Sequence, residues 1–142
     1  MINSKRLYIL LFLFLVTSYS CSNIKDEDKN SLELRVNNFY EYTRNGNAEK
    51  IYKEYNVIER DENDRRKVIE EMKELLNAYR LMEFKIKIIK MSNKKALISI
   101  LKKYRNGELN DYDVWVIKGD KWMPRRRGVI LQDAEKIYNE YK

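Results

Sequence analysis

Few residues in this chain can do chemistry, and their types narrow the choice quickly. There is no histidine, and the only cysteine is Cys21. Zinc and iron–sulfur sites, Ser-His-Asp triads and Cys-His pairs are thereby excluded, since each needs thiolates or imidazole. The remaining candidates are carboxylates with a nearby phenol. Asp111 and Asp113 flank Tyr112, and Glu83 opens another apolar segment. A carboxylate of raised pKa beside a tyrosine donor can enolise a carbon acid. Both aspartates follow closely on the Asn106-Gly107 turn signal, where acids are ordinarily solvated, so they are expected on the surface and no catalytic residue is assigned. Asp61-Glu62-Asn63-Asp64 has the look of a calcium loop. Its sixth position is Arg66 instead of Gly and its twelfth is Met72 instead of Glu, so it reads as a helix start and no metal or cofactor is expected.

Charge is the next resource. The formal net charge is +7, and it is unevenly placed. Residues 22–80 carry 12 basic and 14 acidic groups, whereas residues 81–127 carry 13 basic and 5 acidic. Lys85, Lys87, Lys102, Lys103 and the run Arg125, Arg126, Arg127 are the candidate basic surface. In an exported chain such a surface meets an anionic lipid or an acidic protein face rather than nucleic acid.

Export is what the N-terminal stretch indicates. Lys5 and Arg6 precede an unbroken apolar run from Leu7 to Val16, followed by small and polar residues and Cys21. That run is too short for a transmembrane helix, which needs about 20 residues, and it fits the apolar core of a secretory signal. Ser18 and Ser20 suit ordinary signal peptidase, which would cut before Cys21. The segment also resembles the lipobox of bacterial lipoproteins, with Ser20 and Cys21 in place and the aliphatic Val16 two residues early. The resemblance implies a thioether-linked diacylglycerol on Cys21. A lone thiol without a disulfide partner and the polar stretch Ser22 to Asn30 agree with an acylated cysteine and its tether. The expected layout is a signal over 1–20, a lipidated Cys21 with tether over 21–30, and a folded domain beyond. The expected location is the cell envelope, outside the cytoplasm.

The elements that position the remaining groups follow from periodicity. Leu32, Val36, Phe39, Tyr40 and Thr43 recur at helical spacing, with Asn30 or Ser31 as cap. Asn45-Gly46-Asn47 ends that helix and starts a second one through Ala48, Ile51, Tyr52 and Tyr55. A short extended piece is expected at Val57 and Ile58. The acids at 61–64 then open a third helix with the apolar stripe Val68, Met72, Leu75, Leu76 and Tyr79. From Leu81 the period becomes two: Phe84, Ile86 and Ile88 alternate with Lys85 and Lys87, and Ile89 marks a bulge. Turns at Ser92-Asn93, Asn106-Gly107 and Gly119-Asp120 divide a meander of strands, which Pro124 is expected to end. Leu131 to Tyr141 reads as a terminal helix.

This order implies an α+β fold with the N-terminal helices packed in a curved antiparallel sheet. Residues 39–55, FYEYTRNGNAEKIYKEY, and 116–123, VIKGDKWM, resemble the NTF2-like (cystatin-like cone) superfamily over about residues 31–124, with 125–142 outside its pattern. The resemblance implies a pocket between sheet and helices, lined by Phe39, Phe84, Trp115 and Trp122 and suited to a small apolar ligand. Three functions are to be weighed, the first of them leading and the others its alternatives. The first is a non-enzymatic binding or interaction module tethered to the membrane. The second is an acid–base isomerase or dehydratase, and the third is an assembly subunit of an envelope complex.

Overall fold

The computed structural model describes residues 28–56 and 60–142. The signal and lipobox, Cys21, most of the tether and the extended piece at Val57 and Ile58 lie outside the described residues. Two compact units are distinguished, 1–33 and 34–142. Of the first, the described part is 28–33, a stretch of helix α1 in which Lys29 pairs with Glu33 one turn on at 3.9 Å.

Among the described residues helix α1 covers 28–44, so the chain is already helical before the cap expected at Asn30 or Ser31. It ends where Gly46 takes φ +67, the left-handed conformation that glycine adopts without a Cβ penalty. Helix α2, Ala48–Tyr55, begins at once, and the Asn47 side chain accepts the Lys50 N–H at 3.1 Å. Helix α3, Glu62–Ala78, is capped by Asp61, which accepts from the N–H groups of Asn63 and Asp64. α3 packs against α2, and the ion pair Lys73–Glu49 at 3.6 Å joins them.

Strands β1 (Leu81–Met91), β2 (Lys95–Tyr104), β3 (Gly107–Lys118) and β4 (Lys121–Val129) form an open antiparallel sheet in sequence order. The protein is therefore α+β, as its pattern predicts. The bulge expected at Ile89 is present as a register shift between Ile88 and Lys90. Two details differ from expectation. Tyr104 pairs with Gly107, so Arg105 and Asn106 form the loop, one residue earlier than Asn106-Gly107. Pairing also continues past Pro124, because β4 is an edge strand that absorbs the proline with two register shifts.

Both faces of the sheet's centre are covered. Directly opposed residues share a face, so Ile98, Ile100, Lys102, Asp111, Asp113 and Trp115 lie on one side. There Phe39, Tyr55 and Trp115 meet edge to face, with ring centroids 5.1–6.0 Å apart. The other side carries Leu97 and Val114, which pack with Ala134 of helix α4, Leu131–Glu140. The Lys95 ammonium donates to the carbonyls of Tyr138 and Tyr141 at 2.8 and 2.6 Å, tying the end of α4 to the sheet. Continuous burial of 113–116 has this double cover as its cause.

Candidate functional site

The carboxylates singled out at 111 and 113 are not solvated. Two residues apart on β3, they both face the helices, and Asp113 is 0 % exposed. Its carboxylate accepts from the Tyr40 hydroxyl at 2.6 Å, the Gly128 N–H at 3.0 Å and the Trp115 indole N–H at 3.4 Å. Burial pushes the Asp113 carboxyl above its usual range, against the opposing pull of the Tyr40 and Gly128 hydrogen bonds and the Lys102 and Arg127 charges. Tyr40 is held well above the ordinary phenol value, first by burial and then by the Asp113 charge, so its proton stays on the phenol.

Asp111 pairs with Lys102 at 2.9 Å, and both side chains are nearly buried. The Lys102 ammonium also sits 5.2 Å from the Tyr40 ring centroid. Asp111 Oδ1 is buried with no hydrogen-bond partner. Gly128 closes the cluster. It has φ +67, and a Cβ there would meet Asp111 Oδ2 at 3.4 Å. The bulged segment 127–128 lies opposite Asp113, whose side chain takes up the Gly128 N–H that the interrupted ladder leaves over. The two acids are matched by Lys102 and Arg127, so the cluster is close to neutral.

The sequence-predicted residues are distributed as follows. Phe39, Trp115 and Trp122 are buried, with Phe39 and Trp115 in the aromatic contact. Phe84 is half-buried against Tyr40, centroids 5.5 Å apart. None of Phe39, Trp115 and Trp122 lines the three described hollows, and Phe84 borders one beside Glu41 and Lys85. The basic residues divide between the two faces of the sheet: Lys85, Lys87, Lys103 and Arg126 share the α4 side, and Lys102 and Arg127 lie on the other. Lys85 and Lys87 are exposed, and Lys103 pairs with Glu83 at 3.6 Å. Lys102, one residue earlier, points to the helix side. Arg127 lies 4.2 Å from the Phe39 ring centroid, whereas Arg125 and Arg126 border a groove against α4 with Asp133 and Glu140.

Sequence reasoning missed Tyr40 and Gly128 as partners of Asp113. Tyr40 stood in the apolar stripe, where its hydroxyl needs a partner once buried, and that was the available signal. Among the described residues no group of three Cys, Asp or Glu is placed to hold a metal ion, and no helix is long and apolar enough to cross a membrane. No protein-family model matches the chain, and no curated protein matches it.

Proposed function

We propose that this chain is a lipoprotein tethered by Cys21 to the outer side of a membrane, in the cell envelope. Its α+β domain, of the NTF2-like cone kind, is read as a non-enzymatic binding or interaction module. The observation that carries the module reading is the Asp113 carboxylate, which three internal donors occupy and which borders none of the three described hollows. A group so engaged holds the sheet to the helices and opens onto none of the described hollows. The tether rests on the run from Lys5 to Cys21. Intact-protein mass spectrometry of the membrane fraction tests it. The expected product begins at Cys21 and carries added lipid mass, and a mature N-terminal cysteine without lipid overturns the anchor.

A second reading is favoured by one observation. Tyr40 and Asp113, 2.6 Å apart with both pKa values raised, are the phenol and acid that a pocket isomerase uses. It requires a ligand to reach Asp113. A shift of the Asp113 carboxyl NMR resonance on adding a small enolisable ketone would support it, and an unmoved resonance removes it.

A further inference from the structure

The third helix has the clearest apolar stripe in the sequence, and the structure leaves much of that stripe uncovered. Ile69, beside the stripe, is the helix's one buried residue, and Val68, Met72 and Leu76 are half-buried, while Leu75 is 60 % and Tyr79 70 % exposed. Leu75 and Tyr79 are one turn apart and share a helix face. Tyr79 opens onto an open hollow of about 1450 Å³ between the α3–β1 junction and the β2–β3 loop. Met82 and Leu109, each about half exposed, line it as well. Three guanidiniums border it, Arg44, Arg80 and Arg105, against one carboxylate, Glu108. Arg44 is engaged by Glu41 at 2.7 Å. Among the described residues, Arg80 and Arg105 have no carboxylate partner.

We propose that this hollow is a protein-docking surface whose partner presents carboxylates flanking an apolar side chain. Three observations select that occupant. The hollow is wider than the ~300–1,000 Å³ of ordinary small-molecule pockets and is open, which suits a protein segment. Its charge is cationic and uncompensated at Arg80 and Arg105, which calls for anionic groups. Its composition separates a protein from a lipid headgroup. Lysines outnumber arginines in this chain, yet the lining holds three arginines and no lysine. Electrostatic attraction to headgroups uses either cation equally. Protein interfaces are enriched in Arg, Tyr and Met and depleted in Lys, because guanidinium is weakly hydrated and grips carboxylates in a planar fork. The inference rests on the interaction-module reading and names the partner's chemistry. It is independent of the anchor, which the lipid mass at Cys21 reads separately.

The test uses the full chain in nanodiscs of neutral lipid. Three labelled peptides are titrated by fluorescence anisotropy: a Phe-Leu pair flanked by glutamates, the same peptide with lysines for glutamates, and the same with serines for Phe and Leu. The acidic-apolar peptide is expected to bind, more weakly as salt rises, and both altered peptides to lose at least about tenfold. R80Q/R105Q should weaken the acidic-apolar peptide by about tenfold or more, and K85Q/K87Q should leave it within about twofold. Circular dichroism confirms that both variants are folded. Absence of binding, equal binding of the lysine peptide, or indifference to R80Q/R105Q overturns the proposal. So does an R80Q/R105Q effect seen only on anionic vesicles, which would make the occupant a membrane. Self-association of the chain that R80Q/R105Q abolishes would make it a second copy, and overturns it too.

Discussion

Asp113 shows how one side chain is fixed by its neighbours. Removing it by D113A would strand the Tyr40 hydroxyl and the Gly128 N–H in a buried site, each costing about 1–3 kcal/mol. A loss of about 3 kcal/mol in urea unfolding is the expected outcome, and under 1 kcal/mol would show that water replaces the carboxylate. The pH dependence has a definite sign. The folded-state pKa of Asp113 lies above the ordinary carboxyl value, so the folded chain binds this proton more tightly than the unfolded one. Its contribution to stability is therefore fully present below the unfolded value of about 3.9 and is lost as pH rises through the raised folded value. Across that window the wild type should lose stability, relative to D113N, as pH increases. Urea unfolding of both proteins over a pH series reads this, and a difference that grows in the wild type's favour with pH refutes it.

The elements were legible to different degrees, and the reason lies in what their side chains touch. The first two helices, the third helix, the strand meander and the bulge at Ile89 depend on local period and caps, and all are present among the described residues. The burial of Asp111 and Asp113, against the solvated state expected, depends on a distant helix and on the bulge at Gly128, which period two cannot reveal. Pro124 was read as a stop because a ladder N–H is lost there, yet an edge strand needs partners on one side only. The bulge makes its own prediction. G128A puts a Cβ at φ +67 and 3.4 Å from Asp111 Oδ2, and should cost about 1–2 kcal/mol. Trp122, buried opposite Ile117, should cost about 3–5 kcal/mol as W122A, while K85A on the exposed face stays within ~0.5 kcal/mol. Thermal or urea unfolding of the three variants checks the order, and a W122A cost near that of K85A would mean that the sheet's helix side is wrongly assigned.

At the scale of the whole molecule, the excess positive charge of residues 81–127 is divided between the two sheet faces and partly compensated, with Lys85, Lys87, Lys103 and Arg126 on the α4 side and Lys102 and Arg127 on the other. Lys102 is consumed by Asp111, Lys103 faces Glu83, and Lys90 pairs with Glu135 at 3.0 Å. Of the three consecutive arginines, Arg127 lies over Phe39 and the other two face the acids of α4. Sequence alone could assign the net charge but not this division, because the bulge that separates Arg127 from Arg126 is a property of the pairing. The division sets an expectation for membrane association. Each cation held near an anionic bilayer contributes about 1 kcal/mol, so three on one facing surface would amount to over a hundredfold in affinity. Replacing Arg125, Arg126 and Arg127 together by Ser should instead change association with anionic vesicles by less than about tenfold, with a shallow salt dependence. Replacing Cys21 by Ser, in contrast, should release the protein from the membrane fraction of expressing cells or stall its processing, if the lipid is the anchor. Sedimentation of vesicles with the purified chain and fractionation of cells measure the two effects separately. A hundredfold loss in the triple arginine variant would show that the basic run, and not the lipid, holds the domain to the bilayer.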